Sequence, residues 1–340
     1  LTPFNSTPTF ARMERPSDAA VARAPHGGIV SACATDVSCL YGACPDVARR
    51  RYGAEVGHRG GRNAADSNSS GSVGRRPAWF KELGVRVLIA AVARAAARHE
   101  RGIEVLLSCA PKEAHFAWVV VRVRRGAAAA DAAAARIETM WHCGACAAFG
   151  VGDDGDGDDV NGRAWTCECE RAGAGAGERI GFGIAPRPTK LGPAWSGALA
   201  SAAFASKMLE RAVAGDGACR VEPATTSLLR RLAREASDAA DVALFRSVDA
   251  CVDRATGEHP NVDALVDALR REGRVASRTH FDARGVKTDA SGEELRCVLY
   301  TGPHTTALAW WTPILKDFCR RLSSPTPPFQ SPPSAPLNSI

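Results

Sequence analysis

No apolar run in this 340-residue chain approaches the ~18 residues of a membrane-spanning helix, so a helical integral membrane protein is excluded. The first residues, LTPFNSTPTF, carry neither the basic nor the apolar region of a signal peptide, and they lack an initiator Met. The expectation is a soluble intracellular protein. Also missing is a glycine-rich nucleotide turn. In GAGAGERIG (173–181) the GxGxxG spacing fails at Glu178 and no strand precedes it, which leaves a flexible linker. The acidic run DDGDGDD fails as a calcium loop in the same way. Counted from Asp154, Asp159 stands where the sharp-turn glycine belongs and Trp165 where the bidentate Glu belongs.

What is there is a globular composition rich in Ala and Arg, long enough for a sizeable core and for two ordered domains. The net charge of +6 permits a nucleic-acid partner without demanding one. Basic residues gather in ARRRYG, VRVRRG, LLRRLARE and LRREGRVASR, and such clusters are as often solvated helix faces as phosphate contacts. The 12 cysteines, in a chain this large with no export signal, point to thiols or metal ligands rather than disulfides. Cys33, Cys39, Cys44, Cys109, Cys219, Cys251, Cys297 and Cys319 stand singly and read as small buried hydrophobes.

Along the chain, GGIVSACATD reads as a strand ending at Thr35-Asp36, and PDVARRRYG as a short helix opened by Pro45 and closed by Gly53. Residues 59–76 have almost nothing to bury and read as a flexible insertion. A helix is predicted over Phe80–Arg98 with Val85, Leu88 and Val92 on one face, and HFAWVVVRVRRG as a strand covered on both sides. This order suggests the second half of a doubly wound α/β domain. LGPAWSG reads as a rigid turn, and helices follow in AFASKMLERAVA and TTSLLRRLAREAS. In NVDALVDALRREG, Asn261 caps a helix whose Val262, Leu265, Val266 and Leu269 share a face and which Gly273 ends. RVASRTHFDARGVKTDA reads as a strand and a polar loop, and residues 321–340 as a disordered tail.

Two groups carry chemistry. Cys143 and Cys146 form a CxxC after Met-Trp-His, and Cys167 and Cys169 form a CxC downstream. Paired thiolates at two knuckles can close a structural tetrahedral zinc site with no position open to substrate. The second knuckle is irregular, with Glu170 where the usual spacing puts a Cys; His142 could substitute, and a degenerate, metal-free ribbon is the alternative. Arg278, Thr279, His280, Arg284, Lys287 and Thr288 interleave cations and hydroxyls in one short span, which suits a phosphate backbone. A solvated strand-turn balanced by Asp282 and Asp289 fits the spacing equally well.

The blocks ATDVSCLYGACPDVARRRYGAE, LGVRVLIAAVARAAARHERGIEVLLS, WHCGAC, LGPAWSGAL and SRTHFDARGVKTDA, in this order, closely resemble the tRNA (guanine-26, N2)-dimethyltransferase family. The resemblance runs from residue 1 to about residue 300, interrupted at 59–76 and at the acidic and glycine-rich stretches. It implies a class I, Rossmann-like methyltransferase that uses S-adenosylmethionine on the N2 amine of guanine 26 in tRNA. An α+β C-terminal domain with a zinc-ribbon-like insertion would follow. The implied boundaries are 1–126 for the C-terminal half of the catalytic domain and 127–190 for a linker helix and ribbon. Residues 191–320 would then be the tRNA-binding domain.

The resemblance also identifies the opening loop, which in the family reads Asp-Pro-Phe-Gly at the strand end facing the methyl donor. A guanine amine is a poor nucleophile until an acceptor orients it and takes its proton, and an aromatic face can receive an extruded base. Pro3 and Phe4 keep that pattern; Thr2 replaces the carboxylate and Asn5 the glycine, and a threonine hydroxyl is no anionic base. Asn5, Thr35 and Asp36 would line the substrate pocket, and Arg278, Thr279, His280, Arg284, Lys287 and Thr288 would grip tRNA. The donor-binding half is expected before Leu1, which makes the chain an incomplete enzyme whose cofactor residues lie elsewhere. The family places such enzymes in the nucleus or mitochondrion, and no membrane or obligate protein partner is expected. The alternative is a catalytically inactive RNA-binding protein that keeps the C-terminal domain.

Overall fold

The computed structural model describes residues 16–56, 78–111, 115–143, 148–152, 167, 179–180, 183–184, 189–215, 221–251 and 261–301. Helix α1 (Pro16–Arg23) leads to strand β1 (Ile29–Ala34), the short helix α2 (Val37–Leu40) and α3 (Pro45–Tyr52). Next come α4 (Phe80–Ala97), β2 (Arg101–Cys109), β3 (Ala117–Arg125) and α5 (Ala127–Ala134). The middle contributes β4 (Ile137–His142), β5 (Phe149–Val151), β6 (Arg179–Ile180), β7 (Gly183–Ile184) and β8 (Thr189–Trp195). Then follow α6 (Ala202–Ala214), α7 (Pro223–Asp238), β9 (Arg246–Ser247) and α8 (Val248–Cys251). The last elements are α9 (Val262–Arg271), β10 (Ala276–Arg278), β11 (Gly285–Thr288) and α10 (Gly292–Thr301). No described helix is long and apolar enough to cross a membrane.

The first sheet has the order β1-β3-β2, and both pairings are antiparallel. A doubly wound half would pair its strands in parallel. The difference arises from β2, a strand that the sequence reading passed over: too few residues separate it from β3 for a crossover helix, so the two close as a hairpin. The expectation that β3 is covered on both faces holds. Val119, Val121 and Val123 join the core built on α4, while Val120 faces the other way with Leu106, Leu107 and Cys109. There Ala205 of α6 and Leu232, Ala233 and Ala236 of α7 cover it.

Helix α4 was expected to bury one face. It is buried almost all round, with Leu83, Val85, Val87, Leu88, Ile89 and Ala90 inaccessible to solvent. The sheet lies on one side of it, and α1, α2, α5 and β8 pack on its other sides. The cluster around it extends from Val21 to Leu244, Phe245 and Phe281, so the C-terminal region shares a core with the first sheet. Phe245 and Phe281 stack at 6.4 Å with ring planes 8° apart. Each such buried ring contributes about 1.5–3 kcal/mol.

LGPAWSG is not a free turn. Most of it lies in β8, which pairs with β4 in the sheet β5-β4-β8 and carries a cis Gly192–Pro193 bond. Its ladder shifts register between Glu138 and Met140, and Gly192 exchanges backbone hydrogen bonds with Glu55, a partnership that local turn chemistry does not announce. The third sheet, β10-β11-β9, replaces the expected strand and polar loop with a hairpin. Asn261 caps α9 as expected, its side chain accepting from the Asp263 amide at 2.9 Å, and Gly273 ends the helix at φ 76°. Val262, Leu265, Val266 and Leu269 face one cluster with Val286 and Leu295. Cys297, expected as a lone thiol, is disulfide-bonded. The expectations for 1–5, 59–76 and 321–340 lie outside the described residues.

Candidate functional site

Strand β1 delivers Thr35 and Asp36 to the end of the first sheet, where Thr35 is exposed and Asp36 half-buried. The Tyr52 hydroxyl donates to Asp36 Oδ1 at 2.6 Å, and Arg51 Nη1 donates to Oδ2 at 3.0 Å. Burial pushes the Tyr52 phenol well above its usual range, and the neighbouring Asp36 carboxylate adds to this, so Tyr52 stays a donor. With both oxygens occupied, Asp36 is a fixed anion that ties α3 to the strand end rather than a free base. Thr2, Pro3, Phe4 and Asn5, the rest of the expected pocket, lie outside the described residues.

A second constellation was not foreseen. Glu82 and Arg86 sit one turn apart on α4, both fully buried, and Arg86 Nε donates to Glu82 Oε1 at 2.9 Å. The same oxygen accepts from Lys287 Nζ at 2.9 Å and from the Leu244 amide at 3.1 Å. Lys287 also reaches Glu235 Oε1 at 3.1 Å. Glu235 Oε2 accepts from the His280 amide at 2.9 Å and lies 2.7 Å from His280 Nδ1. Arg86 closes the set by donating to the carbonyls of Trp195 at 2.8 Å and Gly197 at 3.0 Å. Two carboxylates, a guanidinium and an ammonium thus join α4, the end of β8, α7 and the β10–β11 hairpin. Burial alone would push the Glu235 carboxyl up; Lys287 and then His280 outweigh it and hold the group well below the usual carboxylate range. The one signal for this cluster in the sequence is Glu82 and Arg86 at i, i+4 in a largely apolar helix, a spacing that surface pairs share.

The cluster changes the reading of the six residues expected to grip tRNA. Thr279, His280, Lys287 and Thr288 are buried, with Lys287 only 2% exposed, so their side chains do not face a phosphate backbone. The glycine at 285 makes this possible: a Cβ there would stand 2.5 Å from Thr279 Cγ2 and 2.6 Å from the Phe245 ring. Arg278 and Arg284 alone reach the surface. Arg278 Nη1 donates to both Asp263 oxygens at 2.9 and 3.1 Å and Nη2 to the Ala283 carbonyl, and Arg284 donates to Asp249 at 2.8 Å.

Of the four expected zinc thiols, Cys143 and Cys167 are described and both are buried. Cys146 and Cys169 lie outside the described residues. The Cys143 amide donates to the Ala148 carbonyl at 3.0 Å. Among the described residues no group of three or more His, Cys, Asp or Glu could hold a metal. His142, the suggested substitute, packs against the rings of Trp79 and Phe149, each at 4.8 Å, which also meet each other at 5.6 Å.

Comparisons with known proteins agree on one family. A Bos taurus "tRNA (guanine(27)-N(2))-dimethyltransferase" is 36% identical over 189 residues, covering 55% of this chain and 21% of the relative. A Methanopyrus kandleri "tRNA (guanine(26)-N(2))-dimethyltransferase" is 30% identical over 286 residues, covering 83% of this chain and 61% of its own length. The chain therefore spans about a fifth of the mammalian relative and under two thirds of the archaeal one. In fold it is similar to a Pyrococcus horikoshii Trm1 solved with S-adenosyl-L-methionine, at a TM-score of 0.61 and 24% identity, over 84% of this chain and 63% of that one. Residues 68–300 match the family model described as N2,N2-dimethylguanosine tRNA methyltransferase, and the chain belongs to that family.

Proposed function

We propose that this chain serves a tRNA guanine N2-dimethyltransferase, which moves methyl groups from S-adenosylmethionine to the exocyclic amine of guanine 26. The observation that carries the reading is the family match over 68–300, which spans β2 and β3 of the first sheet and the β10–β11 hairpin. The same match favours an enzyme over an inactive RNA-binding protein. Pro3 and Phe4 would orient the base, with Thr2 in the place of the family carboxylate. Asn5, Thr35 and Asp36 would line the pocket, Asp36 as the anion that holds Arg51 and Tyr52 in place. Arg278 and Arg284 would be the tRNA contacts within the hairpin, while Thr279, His280, Lys287 and Thr288 would position it from inside. The test is methyl transfer from labelled S-adenosylmethionine to an unmodified tRNA transcript by this chain joined to a donor-binding half of the family, with the modified position mapped by primer extension. A block at position 26 supports the reading, and absence of transfer sinks it.

A second reading moves the target one nucleotide. The mammalian relatives named for guanine 27 are 36–37% identical, against 30% or less for the archaeal relatives named for guanine 26. A block at position 27 in the same assay selects it.

Structural zinc belongs to this proposal too. Cys143, Cys146, Cys167 and Cys169 would hold it, and a filled thiolate site would brace the loop after β4 without touching the reaction. The burial of Cys143 and Cys167 supports it. Metal analysis of the purified protein tests it: one equivalent of zinc that Cys143→Ser abolishes is the expected result.

A further inference from the structure

Helix α7 carries three arginines on its outward side, Arg230, Arg231 and Arg234, all exposed and none in an ion pair or hydrogen bond with any described residue. Arg230 and Arg234 are at i, i+4, and Arg231 and Arg234 at i, i+3, spacings at which like charges repel on a helix surface. The helix brings no acid to relieve them. Its two carboxylates are engaged elsewhere: Glu235 inside with Lys287 and His280, and Asp238 with Arg270. The neighbouring α6 adds Lys207 and Arg211, one turn apart and likewise exposed and unpaired, against a single acid, Glu210. Five cations thus stand on two packed helices whose one acid not engaged elsewhere is Glu210.

The inward side of α7 is fixed. Leu229, Leu232, Ala233 and Ala236 are buried, the last three in the cluster on the outer face of β2 and β3, and Glu235 is clamped by the hairpin. A helix held this firmly fixes the backbone positions from which the arginines extend, so binding of a polyanion has to order side chains but not the helix.

We propose that the outward face of α7, centred on Arg230, Arg231 and Arg234 and extended by Lys207 and Arg211 of α6, is a phosphate-backbone surface for the tRNA. The choice of RNA rests on the proposed function; the face itself rests on unpaired, exposed and mutually repelling cations. It lies outside the hairpin to which tRNA contact is otherwise assigned. Phosphate contacts of this kind set affinity and register without reading sequence.

The experiment is a salt series of binding between the full chain and a fluorescent, unmodified tRNA transcript, comparing wild type with R230Q/R231Q/R234Q. The expected result is a loss of about tenfold or more in affinity and a log–log salt slope shallower by about two to three. The thermal melt stays unchanged, and R230K/R231K/R234K restores most of the binding. Equal affinity and slope in wild type and the Gln variant overturns the surface and leaves the methyltransferase reading standing. A wild-type chain that binds no tRNA overturns both. Binding of polyglutamate as tight as that of tRNA also overturns the surface, by assigning the face to an acidic protein.

Discussion

Lys287 Nζ and Glu82 Oε1 lie 2.9 Å apart with neither side chain more than 2% exposed, although one belongs to a hairpin late in the chain and the other to α4. The pair joins α4 to the late hairpin through a charge contact in a low-dielectric interior. Removing one member of such a pair leaves the other charge buried alone, which costs about 3–5 kcal/mol. Lys287→Met is therefore expected to destabilise by that amount in urea unfolding, and the double variant E82Q/K287M to recover part of it. A loss under about 1 kcal/mol for the single variant would contradict the assigned burial.

The same residue distinguishes a phosphate contact from an internal brace. A lysine on phosphate contributes about one to the salt slope of RNA binding. Lys287→Met is expected to leave the slope for tRNA unchanged in whatever fraction of the protein remains folded, whereas Arg284→Ala, at the surface, is expected to reduce it.

Glu235 links stability to pH. Its folded pKa is depressed, so its contribution is fully present above the ordinary Glu range and is lost as the pH falls through and below it. Unfolding free energy measured from about pH 7 down to about pH 3 should decline steeply, and Glu235→Gln should flatten that decline while lowering stability near neutrality. A Gln variant with an unchanged acid limb would remove Glu235 as its cause.

Cys109 lies at the end of β2, where burial and then Cys33 push its thiol up to about 12. Only the thiolate alkylates readily. Iodoacetamide footprinting near neutral pH should leave Cys109 unlabelled in the folded protein and labelled after unfolding, with half-buried Cys44 modified earlier.

Asn261→Ala removes the side-chain acceptor for the Asp263 amide and should cost about 1 kcal/mol, read as a lower thermal midpoint. Asn261→Asp keeps the acceptor and should cost little, which separates the cap from any other role of the position.

The sequence by itself determined what depends on neighbours a few residues apart. The cap at Asn261, the apolar side of α9, the Pro45–Gly53 limits of α3 and the two-sided burial of β3 all follow from periodicity and from the backbone preferences of Pro, Gly and Asn. The ordered motif blocks likewise carry the family resemblance in the sequence alone. Only the tertiary structure decided which charges are inside. Arg278, His280 and Lys287 look alike in a string of polar letters, yet one reaches solvent and two are clamped by Glu235. The difference lies with α4 and α7, distant segments whose carboxylates compensate the cost of burying an ammonium. Spacing within SRTHFDARGVKTDA carries no record of those partners. The pairing of β8 with β4, and the antiparallel course of β2, were hidden for a similar reason: which strand a segment joins is settled by long-range packing and connection length, not by the residues of the strand alone.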